Sequence, residues 1–571
     1  MYLGDFSRFT KEKTLEHSEQ REISIYKDKE TNVECFVQSF PINSYASNEF
    51  NRYFKILHQL RDIEFNNMQK LMFFLHDNDN FYIGSKFDQL NPIDIKKYDD
   101  KTIANLIFTV TKQLYYLHQA NISHQNIKLS SIYQNSSNDF VIIPPQPISL
   151  YDIQKGDEYL PFFDKPPLSN DIFLLGLLII ECIAGVSYSD ILDRIWSFKE
   201  VTNEKSPILE LAIKCLDWDL EERPTIEKIY NTFITEGIQI HEKTYKFTAE
   251  EKVTIPKQIT DEEYLNIVKS DADKGDIIAL LIYGTHLIKK ASTPEEKQLG
   301  IDYMEKCPLP AAINNLSNAY QKENPQKSYE CLKKASDMNF PVAIRSLYLH
   351  YIKKSKDESL ITNTIPKLTE LGYKGYIPAL FTISDRVRLC DPPEAYKMML
   401  FCAHHGYANS IHYVGLFHEY GFGAEKDSEM SNRYWKIGLK LRYGPCTNNL
   451  GTHCPDPVQA CKYWILGSEL GSGEAAYNLA IHYLTGNGIE KDPVKAFHYM
   501  KLAASRNQIF SMFDYAIMVR DGVGCEKDEK LSEELCRQAA AARHTREMKK
   551  KLLQEEAMKH NVVLPKYFDY F

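Results

Sequence analysis

The stretch TGNGIEKDPVKAFHYMKLAA, residues 485–504, decides the fold. It holds a Gly-Asn-Gly turn, an aspartate after it, and then an apolar run at helical spacing. The same order returns in DGVGCEKDEKLSEELCRQAA, residues 521–540, and the turn alone in GFGAEKD, residues 421–427. Gly421, Gly423, Gly486, Gly488, Gly522 and Gly524 are therefore turn positions of a repeat. A Gly-rich turn ahead of a helix can cradle an anion. This one recurs between paired helices and is followed by an acid. It reads instead as a tight connection that needs glycine backbone angles.

Outward from this stretch, a small residue recurs after each Gly- or Pro-containing turn. The positions are Ala279, Ala311, Ala343, Ala379, Ser410, Cys446, Ala475 and Ser511. Their separations run 32, 32, 36, 31, 36, 29 and 36 residues. A period of this size with two helices per unit predicts an α-solenoid, because one unit cannot bury its apolar face alone. The GxGxxxD turns and the opening AAYNLAIHYL resemble Sel-one-like repeats, relatives of the tetratricopeptide repeat. Eight units are expected over residues 263–543, with a capping helix and tail over 544–571. The resemblance implies protein partners, bound through the concave face of the array. Cys446, His453, Cys454 and Cys461 are soft ligands, but their spacing is not that of a zinc module, and no metal is expected.

The first part, residues 1–240, has a different grammar. EISIYKD, NVECFVQSF and NFYIGSKF read as strands, and DFVII as a further extended run. Residues 241–262, rich in Pro and charge, are read as a linker. After the helical run LIFTVTKQLYYLHQAN comes SHQNIKLSSIY, residues 123–133. It resembles the catalytic loop H-R-D-L-K-x-x-N of protein kinases. His124 and Lys128 match; Asn126 stands at the catalytic aspartate and Ser131 at the magnesium-binding asparagine. Asp171 and Gly176 of LSNDIFLLGLLIIECIAG fall on the family's central helix, and Arg223 of CLDWDLEERPT on its late arginine.

The resemblance fails where the family touches ATP. Glu16, Ser18 and Arg21 occupy the three glycine positions of the phosphate loop, and a glutamate there repels phosphate. VECFVQSF lacks the phosphate lysine; Val37 or Gln38 stands in its place. Pro145, with Gln146 and Pro147, falls where the D-F-G motif belongs, and the A-P-E motif is degraded near Pro161. Transfer of phosphoryl groups rests on positioning and charge neutralisation, so losing these groups together predicts a fold kept without its chemistry. His124, Lys128, Asp171, Gly176 and Arg223 are the scaffold positions retained.

The 571 residues call for several domains. The net charge of -9 argues against a nucleic-acid surface along the whole chain. The longest apolar run, residues 172–185, contains Glu181 and is too short to span a bilayer. No signal-peptide pattern opens the chain. Twelve scattered cysteines fit reduced thiols, so a cytoplasmic location is expected. The expected architecture is multidomain: a bilobal α+β kinase-like fold and then an all-α solenoid. The expected function is that of a pseudokinase and repeat adaptor, non-catalytic and without cofactor, nucleic acid, membrane or nucleotide. Two other readings follow from the same residues. One is an atypical kinase using rearranged groups such as Asp139 or Asp152. The other is a structural solenoid with an N-terminal cap.

Overall fold

A computed structural model of the chain describes residues 6–17, 21–45, 47–60, 71–77, 79–86, 90–143, 167–196, 199–202, 204–248, 259–352 and 358–564. The chain divides into two compact units, residues 1–217 with 221–379 and residues 218–220 with 380–571.

The first unit opens with mixed α/β structure. Strands β1 (Phe9–His17), β2 (Glu22–Asp28), β3 (Glu34–Pro41), β4 (Leu71–His76) and β5 (Asn80–Lys86) form one antiparallel sheet in the order β1-β2-β3-β5-β4. Helix α1 (Ser47–Leu60) connects β3 to β4. Side chains alternate across a strand, and β3 uses both faces. Cys35 and Val37 pack with Phe73, Leu75 and Tyr82 on one side. Phe36 packs with Ile23 on the other. Strand β4 was not legible as a strand, because LMFFLH is a continuous apolar run without alternation.

A second antiparallel sheet joins β6 (Asn91–Pro92), β7 (Ile132–Gln134) and β8 (Phe140–Ile142). Helix α2 (Asp100–Gln119) starts where the Asp99 side chain accepts the Thr102 amide. Helix α3 (Pro167–Ala184) is the long apolar run, and it is buried because α2 and α5 cover it. Helices α4 (Tyr188–Trp196), α5 (Pro207–Cys215) and α6 (Ile226–Thr235) follow. Among the described residues no single helix is long and apolar enough to cross a membrane. The hairpin β9 (Ile238–Ile240) and β10 (Lys243–Tyr245) crosses the expected boundary at residue 240, with β10 inside the segment read as linker. Phe247 just beyond it stacks on Phe108 of α2, with ring centroids 4.1 Å apart. Residues 241–248 therefore fold with the first region, held by this aromatic contact.

The rest is helical. In the first unit come α7 (Asp261–Asp273), α8 (Ile277–Lys290), α9 (Pro294–Glu305), α10 (Pro310–Tyr320), α11 (Pro325–Asp337), α12 (Pro341–His350), α13 (Glu358–Tyr373) and the start of α14 (Ile377–Val387). In the second come α15 (Pro392–His404), α16 (Ala408–Tyr420), α17 (Ser428–Lys440), α18 (Gly444–Thr452), α19 (Pro457–Glu469), α20 (Gly473–Thr485), α21 (Pro493–Ser505), α22 (Ile509–Asp521) and α23 (Glu529–Lys559). The eight recurring small residues all sit in the first turn of every second helix, α8 through α22, and all are buried. A larger side chain there would hold neighbouring helices apart. Helix α23 runs through residue 543 without a break, so the last repeat helix and the expected cap are one element.

Candidate functional site

The loop SHQNIKLSSIY lies between α2 and β7 and is tied to α3 by one carboxylate. Asp171 is fully buried. Its Oδ2 accepts the His124 amide at 2.8 Å and the His118 Nε2 at 2.9 Å, and its Oδ1 accepts the Gln125 amide at 2.7 Å. Gln125 reaches this position with a left-handed backbone, φ 65°. His124 donates from Nε2 to the Ile143 carbonyl at 2.8 Å and accepts the Asn126 amide at Nδ1. Those two bonds fix one neutral tautomer. Burial holds its pKa below the usual histidine value, in the same sense. The Ser131 hydroxyl accepts the Lys128 amide and donates to the Lys128 carbonyl, closing its own turn.

Gly176 and Arg223 hold helices. A Cβ at Gly176 would lie 2.8 Å from the Ala212 carbonyl, so glycine lets α3 meet α5. Arg223 donates to the carbonyls of Asp217 and Ser169 and lies over the Phe173 ring. His118 is a member of the Asp171 cluster that the motif comparison did not single out; YLHQ reads as ordinary helix.

Of the positions compared with the phosphate-binding groups, Glu16 lies in β1 opposite Ile23, and Arg21 and Gln38 are buried. Ser18, Pro145 and the degraded A-P-E segment lie outside the described residues. Beneath the first sheet, Ile23, Phe36, Tyr133 and Ile143 form one buried apolar cluster. The rings of Phe36 and Tyr133 meet edge to face at 6.0 Å.

In the repeats the glycine turns have two separate jobs. Gly421, Gly486 and Gly522 end α16, α20 and α22 in the left-handed conformation. Gly423, Gly488 and Gly524 press against the first residue of an earlier helix. An added Cβ would lie 2.2, 2.3 and 2.0 Å from the carbonyls of Pro392, Pro457 and Pro493. The aspartate after each turn, Asp427, Asp492 or Asp528, caps the next helix through its side chain. The turn amides thus serve the chain itself. Cys446 is buried against Gly438, His453 bonds to the Asn449 carbonyl, and Cys461 lies 3.7 Å from His482. Among the described residues no group of three or more His, Cys, Asp or Glu side chains converges on a metal position.

A joint absent from the sequence reading links α1 and β4 to the first helices of the array, all within the first unit. The Tyr264 hydroxyl of α7 donates to the Asn51 carbonyl of α1 at 3.1 Å. Lys55 of α1 pairs with Asp261 of α7. His76 of β4 meets Asp276 at 3.0 Å, the same carboxylate that caps α8. On the other side, Arg52 of α1 donates to the Gln125 side chain in the loop at 2.8 Å. Residues some 200 positions apart in the chain carried no pairwise signal.

The fold defines a mixed α/β region with antiparallel sheets, followed by an α-solenoid of helix pairs. The Sel1 repeat family model matches residues 310–340, 408–441, 473–508 and 509–544. The C-terminal half therefore carries Sel1 repeats, framed as the second helix of one pair plus the first of the next. In that frame α8 to α23 make eight units and α7 stands ahead of them. Sel1 repeats commonly mediate protein binding. A crystal structure of a Sel1 repeat protein from Oxalobacter formigenes is similar at 16% identity and a TM-score of 0.35, over 52% of this chain and 94% of that one. No curated protein matches the chain.

Proposed function

We propose that this chain is a non-catalytic adaptor: a pseudokinase-like region joined to repeats that bind proteins along their concave face, acting in the cytoplasm. The kinase-like reading of residues 1–240 is supported by the five-stranded antiparallel sheet with α1 between its third and fourth strands. The Asp171 bonds to the loop amides support it further. The absence of phosphoryl transfer is carried by one observation. Ile23, Phe36, Tyr133 and Ile143 pack together under the sheet, which on the kinase-like reading leaves the nucleotide no room there. Asn126 offers no base, and the Ser131 hydroxyl is engaged by its own turn.

Thermal shift of the full chain with ATP, with and without Mg²⁺ or Mn²⁺, tests the first half of this proposal. No metal-dependent stabilisation and no transfer to a generic acceptor are expected. A metal-dependent rise of several degrees would overturn it. Cross-linking in the parent cells tests the second half. Links to other proteins should concentrate on exposed repeat lysines such as Lys397, Lys436, Lys462 and Lys495. Links confined to Lys11, Lys29 and Lys101 would place the partners elsewhere.

A further inference from the structure

Helix α1 is held on three sides, all within the first unit. Its apolar face, Phe50, Tyr53, Phe54 and Leu57, is buried, and the Phe54 ring meets Phe74 of β4 edge to face at 4.5 Å. Its polar edge carries the other ties. Asn51, Lys55 and His58 recur at helical spacing and share one face. All three meet α7. The Tyr264 hydroxyl donates to the Asn51 carbonyl, Asp261 pairs with Lys55, and the His58 ring lies 6.0 Å from the Tyr264 ring. Arg52, next round the helix, turns to the loop, where it donates to the Gln125 side chain at 2.8 Å.

Gln125 is where that last tie acts. Its amide is one of the two that Asp171 accepts, and its backbone is left-handed, φ 65°. A residue other than glycine keeps such a conformation only where its surroundings enforce it. Asp171 holds Gln125 by the main chain and Arg52 holds it by the side chain. The chain after α2 and helix α7 both line a cleft of ≈ 480 Å³, the first through Asn121 and Ser123, the second through Asp261, Tyr264 and Leu265. Open space therefore lies beside both, and the bonds named above join them through α1.

We infer that α1 is a coupling helix, which passes the docking of the array on to the loop. With α7 in place, α1 is fixed against the sheet, and Arg52 is fixed against Gln125. When α7 leaves, Tyr264, which is 3% exposed, and the face of α1 beneath it lose their cover. Arg52 is then released, and the left-handed turn loses one of its two supports. Coupling of this kind is reciprocal, so a loosened loop weakens the dock by the same factor. A partner that draws α7 away from α1 reaches the loop without touching it. None of this depends on whether residues 1–240 are kinase-like.

Hydrogen exchange of the full chain tests this. The reporters are the His124 and Gln125 amides, both bonded to Asp171. Tyr264→Ala should speed their exchange about fivefold or more, with strands β2 and β3 and helices α20 and α21 unchanged. Gln125→Asn keeps a residue that tolerates the left-handed backbone but draws the side chain back from Arg52. It should speed exchange across α7, and it decides the matter where Tyr264→Ala fails to fold. In an Arg52→Ala background, Tyr264→Ala should add nothing at the loop, because the link is already cut. Four results would each overturn the inference. They are an unchanged loop in Tyr264→Ala, an unchanged α7 in Gln125→Asn, a full effect of Tyr264→Ala on top of Arg52→Ala, and faster exchange spread evenly over the first unit. None of these outcomes bears on metal-dependent ATP binding, so the adaptor reading stands or falls separately.

Discussion

At the scale of single residues, the fate of a side chain follows from what it must satisfy. Asp171 takes two amides and a histidine into a fully buried site, where an unpaired donor is costly. Asp171→Asn turns one of its two acceptor oxygens into an amide NH2 that faces a donor. It should cost about 3 kcal/mol, measured as a lower urea midpoint of the full chain. Glycines separate conformation from space in the same way. Gly471 has φ 94° with nothing near its missing Cβ, while Gly488 has φ 74° and the Pro457 carbonyl at 2.3 Å. Gly471→Ala should cost about 1 kcal/mol, the strain of the left-handed backbone alone. Gly488→Ala should cost clearly more, because a backbone carbonyl cannot move aside. Equal losses in the two variants would refute the steric part of this account.

At the scale of elements, helices pair through caps and small residues, and the α/β region meets the array through α1, β4 and α7. His76 supplies a pH-dependent part of that joint. Burial opposes its charge, but the Asp276 bond, the Asp276 charge, the Asp77 carbonyl and the Asp77 charge outweigh it, and its pKa is raised. A raised pKa gives stability that is full below the unfolded-state value near 6.5 and is lost as pH rises through the folded value. The Tm advantage of the wild type over His76→Gln should therefore be present at acid pH and shrink above neutrality. A difference that grows with pH would contradict this. The joint also changes how the protein can be divided. A cut in residues 249–258 leaves α1 and Tyr264, which is 3% exposed, facing water in separate pieces. The separated halves should each be less stable than the whole and should rebind when mixed, as gel filtration would detect.

At the scale of the whole molecule, a repeat array is held by neighbours, so its ends matter more than its middle. Tyr515, Met518 and Val519 of α22 complete a cluster with Ala496 and Met500 of α21. A chain ending at residue 508 loses those three side chains. It should bind an apolar dye and melt earlier, whereas a chain ending at residue 561 should match the full protein. Dye binding equal in both would mean that α22 and α23 are not a cap.

Much of this was legible before any coordinates. The eight small residues marked every second helix, because a crowded first turn admits only a small side chain whatever the partner helix is. The GxGxxxD turns and the Asp171 and His124 motif were legible because each is a short-range demand for one dihedral or one bond. Three things needed the tertiary structure. Strand β4 carries no alternation of its own, because both its faces are covered. The second strand of the hairpin at 238–245 looked like linker, because what holds the hairpin is remote: Ile238 and Ile240 are buried, and Phe247 stacks on α2. The joint of α1 with α7 and α8, and the cleft in it, bring together side chains some 200 residues apart. Local sequence determined the repeating units and the loop tied to Asp171. Only the packing of remote surfaces decided what those units close around, because burial and charge pairing depend on neighbours in space.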